Sequence, residues 1–77
     1  MSAQTEEQLS RRAESVLMFV VEFIGAKGYA PSMRQIGDGV GLHSVSSVHR
    51  QLQILVANGW IRYDARTPRS IVLLEPQ

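Results

Sequence analysis

Apolar residues recur along this chain at helical spacing three times, and then twice in short runs. Ala13, Val16, Leu17, Val20, Phe23 and Ile24 follow one another at intervals of 3, 1, 3, 3 and 1. That spacing predicts an amphipathic helix from about Ser10 to Ala26, stopped by Gly28. Met18 points away from the stripe, and Phe19 and Val21 flank it. Tyr29-Ala30-Pro31 reads as an extended linker, because proline pushes the residue before it out of the helical region. Ser32-x-x-Gln35 is a capping box that opens a second helix. Ile36 and Val40 share one face of it. Gly41 stops it, since glycine takes the left-handed conformation at little cost. Ser44 caps a third helix reaching about Asn58, with Gly59 as its stop. Its apolar positions are Val48, Leu52, Leu55 and Val56. Trp60 to Tyr63 and Ser70 to Leu74 are β-branched or aromatic enough to read as strands. Between them Asp64-Ala65-Arg66-Thr67-Pro68-Arg69 is a turn-rich, basic connection.

A short capped helix, a glycine turn and a longer helix make a helix-turn-helix pattern. Two strands directly after it complete a winged helix. The expected class is α+β and mostly helical, with three helices and a two-stranded wing over residues 10–74. Residues 1–9 are expected to be a flexible start and 75–77 a tail. The third helix shows Ser46, His49, Arg50 and Gln53 on its outer face, all polar and none acidic. Such a face suits the reading helix of a DNA major groove. On spacing alone, a plain packing hairpin stays open as the other reading.

Charge distribution bears on that choice more than net charge does. The 77 residues carry a net +1, weak for a nucleic-acid binder. Residues 1–23 hold Arg11 and Arg12 against Glu6, Glu7, Glu14 and Glu22, a net −2. Residues 24–74 hold Lys27, Arg34, Arg50, Arg62, Arg66 and Arg69 against Asp38 and Asp64, a net +4. Basic charge thus gathers in the helix-turn-helix and wing, as a DNA-facing surface requires. Merely solvated charges would be the bland alternative. At 44% hydrophobic and 19% charged, the chain has an ordinary globular composition with enough length for one core. It contains no cysteine, so neither a disulfide framework nor a thiolate metal site can form. The longest apolar run, Val16 to Val21, is too short to span a membrane. The polar, glutamate-bearing start is not a signal peptide.

Catalytic and metal chemistry find no footing here. His43 and His49 stand six apart with no acid at ligand spacing, whereas zinc takes three or four protein ligands. Ser44, Ser46 and Ser47 have no paired base that would make one a nucleophile. Gly37, Gly39 and Gly41 do not follow a strand, so they are no phosphate-binding glycine loop. Gly37 is expected to let the two helices approach closely. The chain reads as a non-enzyme without cofactor or metal.

From about Leu9 to Leu74 the chain resembles the N-terminal DNA-binding domain of the LexA family of SOS-response repressors, in its actinobacterial form. The resemblance lies in the continuous stretch Gly28 to Leu42, GYAPSMRQIGDGVGL. It also covers Ser46-Ser47-Val48, Gln51-Leu52, Asn58-Gly59 and Pro68-Arg69. It implies a winged helix-turn-helix that binds a palindromic operator as a dimer. The N-terminal half of its recognition helix would read the bases, here through Ser44, Ser46, Ser47, His49 and Arg50. Three departures stand out. The family's C-terminal domain, which dimerises and cleaves its own linker with a Ser–Lys pair, has no counterpart in these residues, whose one lysine is Lys27. A cut-out domain and a stand-alone relative both fit that. His49 and Arg50 differ from the family's forms, which leaves the operator open. Val56-Ala57-Asn58 stands where the family carries a basic residue, leaving one phosphate contact open.

The expected function is therefore sequence-specific binding of double-stranded DNA, as a LexA-like transcriptional repressor without the self-cleaving half. Arg50 is the expected base contact, since arginine to guanine is the commonest specific pair. Ser46, Ser47, His49 and Gln53 would add groove contacts, while Ser32, Arg34, Arg66 and Arg69 suit phosphates. The resemblance places the protein in the cytoplasm, on the nucleoid, of a bacterium or as a phage product. The rival reading is a winged-helix module that binds a repressor or another partner protein through Met18, Phe19 and Val21. That apolar surface is small, so a monomer in free solution is expected, pairing on DNA or with a partner.

Overall fold

Each helix starts on a serine that meets the backbone three residues on. In the computed structural model, which describes residues 10–74, the Oγ atoms of Ser10, Ser32 and Ser44 accept from the amides of Ala13, Gln35 and Ser47, each at 3.1 Å. Each bond satisfies one of the orphan donors at a helix start. The helices are α1 (Arg11–Lys27), α2 (Met33–Val40) and α3 (Val45–Ala57). The first runs one residue past the expected Ala26, and Gly28 closes it as expected. At α2 the capping box is complete, because the Gln35 side chain accepts from the Ser32 amide at 2.9 Å. The expected start over 1–9 and tail over 75–77 lie outside the described residues.

The wing follows as β1 (Ile61–Arg62) and β2 (Val72–Leu73), antiparallel, with Ile61 opposite Leu73 and Arg62 opposite Val72. This ladder is shorter than the strands expected over Trp60–Tyr63 and Ser70–Leu74. At one end the Leu74 amide still donates to the Trp60 carbonyl at 2.9 Å. At the other the backbone turns to side chains: the Asp64 amide donates to Ser70 Oγ at 2.9 Å, and Ser70 Oγ–H donates to the Asp64 carbonyl at 2.8 Å. The winged helix-turn-helix is thus the observed architecture, with three helices and a two-stranded antiparallel wing.

The core sits where the three helices meet the first wing strand. Val16, Val20, Ile36, Val48, Leu52, Leu55 and Ile61 are essentially inaccessible to solvent. Removing side chains of that size from water stabilises by about 1.5–3 kcal/mol each. Two positions differ from the expected pattern. Val56 is 41% exposed, while Gln51 is 9% exposed and takes its place on the buried face of α3. Gln51 follows Val48 by three positions and precedes Leu55 by four, so all three lie on the same side of the helix. Phe19 is also less free than expected. It packs against the core and lies over Gly39 of α2, where any Cβ would overlap its ring. At Gly37 a Cβ would come within 2.8 Å of the Leu42 carbonyl oxygen and 3.5 Å of Val48. That confirms a close approach, although the nearest obstacle is the turn and α3 comes second.

Candidate nucleic-acid interface

The outer face of α3 is the first component. Ser46, Arg50 and Gln53 are exposed, and none makes a side-chain hydrogen bond or ion pair among the described residues. Neither α2 nor α3 has an acidic residue in its first turn. The positive ends of both helix dipoles are therefore uncompensated by side chains, which favours anions nearby. Ser47 is half-buried, and its Oγ accepts from Ser44 Oγ at 2.9 Å. Ser32 and Ser44 serve first as helix caps; their hydroxyl oxygens are already engaged. Val45, at the first position of α3, is 54% exposed and apolar. Sequence reasoning does not single it out, although a β-branched residue just inside a polar cap is visible in the sequence.

Three surface hollows gather the candidates. One of about 200 Å³ is lined by Arg12, Ser46, Ser47, Arg50 and Gln51. It brings the start of α1 beside the reading face. In the sequence Arg12 counts only as charge, because nothing in local spacing shows that α1 begins next to α3. Gln51 contributes a buried side-chain oxygen with no hydrogen-bond partner among the described residues. A second hollow, of about 250 Å³, is lined by Arg34, His43, Ser44 and Val45 among others. It joins the exposed guanidinium of α2 to the entry of α3. The third, also of about 250 Å³, lies between the wing and the start of α2, with Ser32, Arg66 and Arg69 in its wall. Gln53 and His49 line none of the three.

Arg66 and Arg69 separate sharply in this geometry. Arg66 projects from the wing with its side chain 94% exposed, and its one ion pair, to Asp64, is long at 3.8 Å. A pair that open to solvent holds little energy. Asp64 organises the loop around it, accepting from the Arg66 amide at 2.9 Å and the Thr67 hydroxyl at 3.2 Å. Arg69 is exposed too, but one edge of its guanidinium is already engaged. Its Nη1 donates to the Ala30 carbonyl and to Gln35 Oε1, both at 3.0 Å, and its guanidinium lies 5.1 Å from the centre of the Tyr29 ring. It also holds a left-handed φ of 55°, rare for a non-glycine residue. The guanidinium is held against the fold on that edge because two carbonyl-type acceptors and an aromatic face converge there.

His49 also departs from a simple outward reader. It is half-buried, and its Nδ1 lies 2.9 Å from the Tyr63 hydroxyl, with the ring centres 5.8 Å apart. Burial holds the Tyr63 phenol above its ordinary value of 10.0, so the hydroxyl keeps its proton. The sequence marks Tyr63 only as a strand residue. Its pairing with a residue 14 positions earlier depends on how the wing folds back on α3. The apolar patch expected on α1 shrinks to Met18, 59% exposed, and Val21, 47% exposed. No helix among the described residues is long and apolar enough to cross a membrane.

Comparison with known proteins agrees with this geometry. Residues 6–70 match the family described as LexA DNA binding domain. The chain is 47% identical over 68 residues to a LexA repressor of Halalkalibacterium halodurans, covering 88% of this chain and 33% of that protein. It is 46% identical over 67 residues to a LexA repressor of Desulfitobacterium hafniense, covering 87% and 33%. With a LexA repressor of Clavibacter sepedonicus the identity is 42% over 73 residues, covering 95% and 32%. The chain thus spans about a third of the length of the curated relatives it matches.

Proposed function

Because this chain belongs to the LexA DNA-binding domain family, we propose that it lays α3 in the major groove of double-stranded DNA and supplies the sequence-reading part of a transcriptional repressor. The observation that carries this reading is the face of Ser46, Arg50 and Gln53, exposed, free of acidic neighbours in the first turn and without internal partners among the described residues. Arg50 presents a donor fork that fits guanine O6 and N7, and Val45 an apolar group that fits a thymine methyl. Arg12 and Arg34 border the face and Arg66 projects from the wing, positions suited to backbone phosphates rather than bases, so they would set register and affinity. Ser32 and Ser47 contribute hydroxyl hydrogens at helix ends already favourable to phosphate, whereas that of Ser44 is donated to Ser47 Oγ. No catalytic step belongs to this reading. The protein would act in the bacterial cytoplasm, in the SOS response that the family resemblance implies.

One such helix reads only a few base pairs, whereas a specific site stands about 4–10 kcal/mol above non-specific binding. Two copies on a palindromic operator meet that need. The inward packing of Phe19 leaves Met18 and Val21 as a very small apolar surface on α1. So small a surface supports the reading that these residues are monomeric in free solution and pair on DNA.

Titration of a fluorescent duplex over a range of salt, combined with selection of bound sites from random duplexes, tests the reading. Affinity should fall linearly with salt on logarithmic axes, through release of counterions. The selected sites should share a two-fold motif. Binding indifferent to salt and sequence would defeat it, and would favour a protein-binding winged helix instead.

A further inference from the structure

The pair formed by His49 and Tyr63 is used by nothing described so far. Histidine has two ring nitrogens, and the neutral ring carries its proton on one of them. Which one it is decides what the ring shows to a neighbour: a donor or an acceptor. In this chain Nδ1 faces the Tyr63 hydroxyl at 2.9 Å. The other nitrogen, Nε2, has no hydrogen-bond partner among the described residues. His49 sits one position before Arg50 on α3, and Tyr63 stands on the wing just after β1. The wing therefore touches the reading helix at a residue whose free ring nitrogen can be either a donor or an acceptor.

Resting on the DNA-reading role proposed above, we infer that Tyr63 is a positioning residue that fixes His49 as a hydrogen-bond donor toward the major groove, and so selects a base with an acceptor edge there. The direction follows from the chemistry of the two groups. A phenol is a better donor than a neutral imidazole N–H, and an imidazole nitrogen is a better acceptor than a phenol oxygen. The strong arrangement is thus Tyr63 O–H donating to Nδ1, which leaves the proton of the ring on Nε2. Guanine O6 and N7, adenine N7 and thymine O4 accept such a donor, whereas the exocyclic amine of cytosine does not. The tyrosine hydroxyl accommodates the charged ring as well, since it can turn and accept from Nδ1–H. Nε2 remains a donor in both states, and the preferred base stays the same.

Tyr63 reaches the DNA only through His49, so the test needs a readout that packing alone would not move. Tyr63→Phe keeps the ring and removes the hydroxyl. Two-bond proton–nitrogen correlation of uniformly labelled protein, recorded above the imidazole titration, identifies the tautomer directly. His43, exposed and without a hydrogen bond among the described residues, supplies the reference pattern in the same spectrum. The wild type should show His49 with its proton on Nε2 and Tyr63→Phe a shift toward a tautomer mixture, while His43 stays unchanged. A proton on Nδ1 in the wild type, or the same pattern in both proteins, overturns the inference. Site selection with wild type, Tyr63→Phe and His49→Ala completes it. Tyr63→Phe should lose about threefold to tenfold of the preference at a single base pair, the size of one hydrogen bond, and His49→Ala should lose preference at the same pair. If the wild type selects sites and Tyr63→Phe selects them with equal preference, this inference alone falls. If the wild type enriches no sequence, the DNA-reading role falls and takes the inference with it, whatever the spectrum shows.

Discussion

Arg69 Nη1 lies 3.0 Å from Gln35 Oε1, the same oxygen that accepts from the Ser32 amide in the cap of α2. One side-chain carbonyl thus closes a helix and holds the wing. Arg69→Ala removes two hydrogen bonds and the contact with the Tyr29 ring. It should lower stability by about 1–3 kcal/mol and weaken DNA binding as a consequence. Arg66→Ala should leave the urea midpoint unchanged, and should lower the salt slope of DNA binding by about one unit. Equal effects of the two variants on the urea midpoint would contradict this division.

Arg50 is exposed and stands clear of Val48, Leu52 and Leu55, so its truncation leaves the core intact. Arg50→Ala should keep the thermal midpoint and cost about 1–3 kcal/mol in specific binding, with preference relaxed at one base pair. A loss uniform across all sequences would assign Arg50 to phosphate.

Gly37 and Gly39 sit two residues apart and differ in what blocks a side chain. At Gly37 the obstacle is backbone, the Leu42 carbonyl at 2.8 Å; at Gly39 it is the Phe19 ring. A ring can swing aside, whereas the turn carbonyl is held by its own chain. Alanine favours a helix by about 1 kcal/mol over glycine, and overpacking costs about 1–3 kcal/mol. Gly37→Ala should therefore be the more destabilising of the two, and Gly39→Ala closer to neutral. Denaturant unfolding of both variants decides the order.

Much of this architecture is legible in local spacing. The Ser32–Gln35 box, the glycine stop at Gly41 and the stripe through Val48, Leu52 and Leu55 are contained within a few residues each, and all three stand in the structure. What local spacing misses is long in sequence and short in space. Arg69 meets Ala30 across 39 residues and His49 meets Tyr63 across 14. Phe19 finds Gly39 only when α1 lies against α2. Gln51 is the exception, because its position between Val48 and Leu55 marks it as inward-facing despite its polarity.

Gln51 carries a buried oxygen with no partner among the described residues. Leaving such an acceptor unsatisfied costs about 1–3 kcal/mol. Gln51→Leu removes it at similar volume and should raise the urea midpoint. A midpoint that drops would mean that the amide is satisfied in solution.

Tyr63 gives the chain an alkaline limit. Burial raises its folded value above the ordinary 10.0, so between those two values the folded state binds the extra proton. Its contribution is fully present below pH 10.0 and is lost as pH rises through the folded value. Unfolding measured from neutral to alkaline pH should show wild-type stability declining more steeply above that point than that of Tyr63→Phe. Parallel curves would remove the desolvation argument.

The two-residue ladder between β1 and β2 is too short to stand by itself in water. The wing is therefore held by what it packs against, with Ile61 and Ile71 buried in the common core. Its latch is Arg69, bonded to Ala30 and Gln35. Amide exchange at Leu74, whose N–H donates to Trp60, then reports how firmly the wing is held, and comparison with amides in the middle of α3 shows whether it opens with the whole molecule. A phosphate backbone held by Arg66 would add a second restraint beside that latch, so DNA should slow exchange at Leu74.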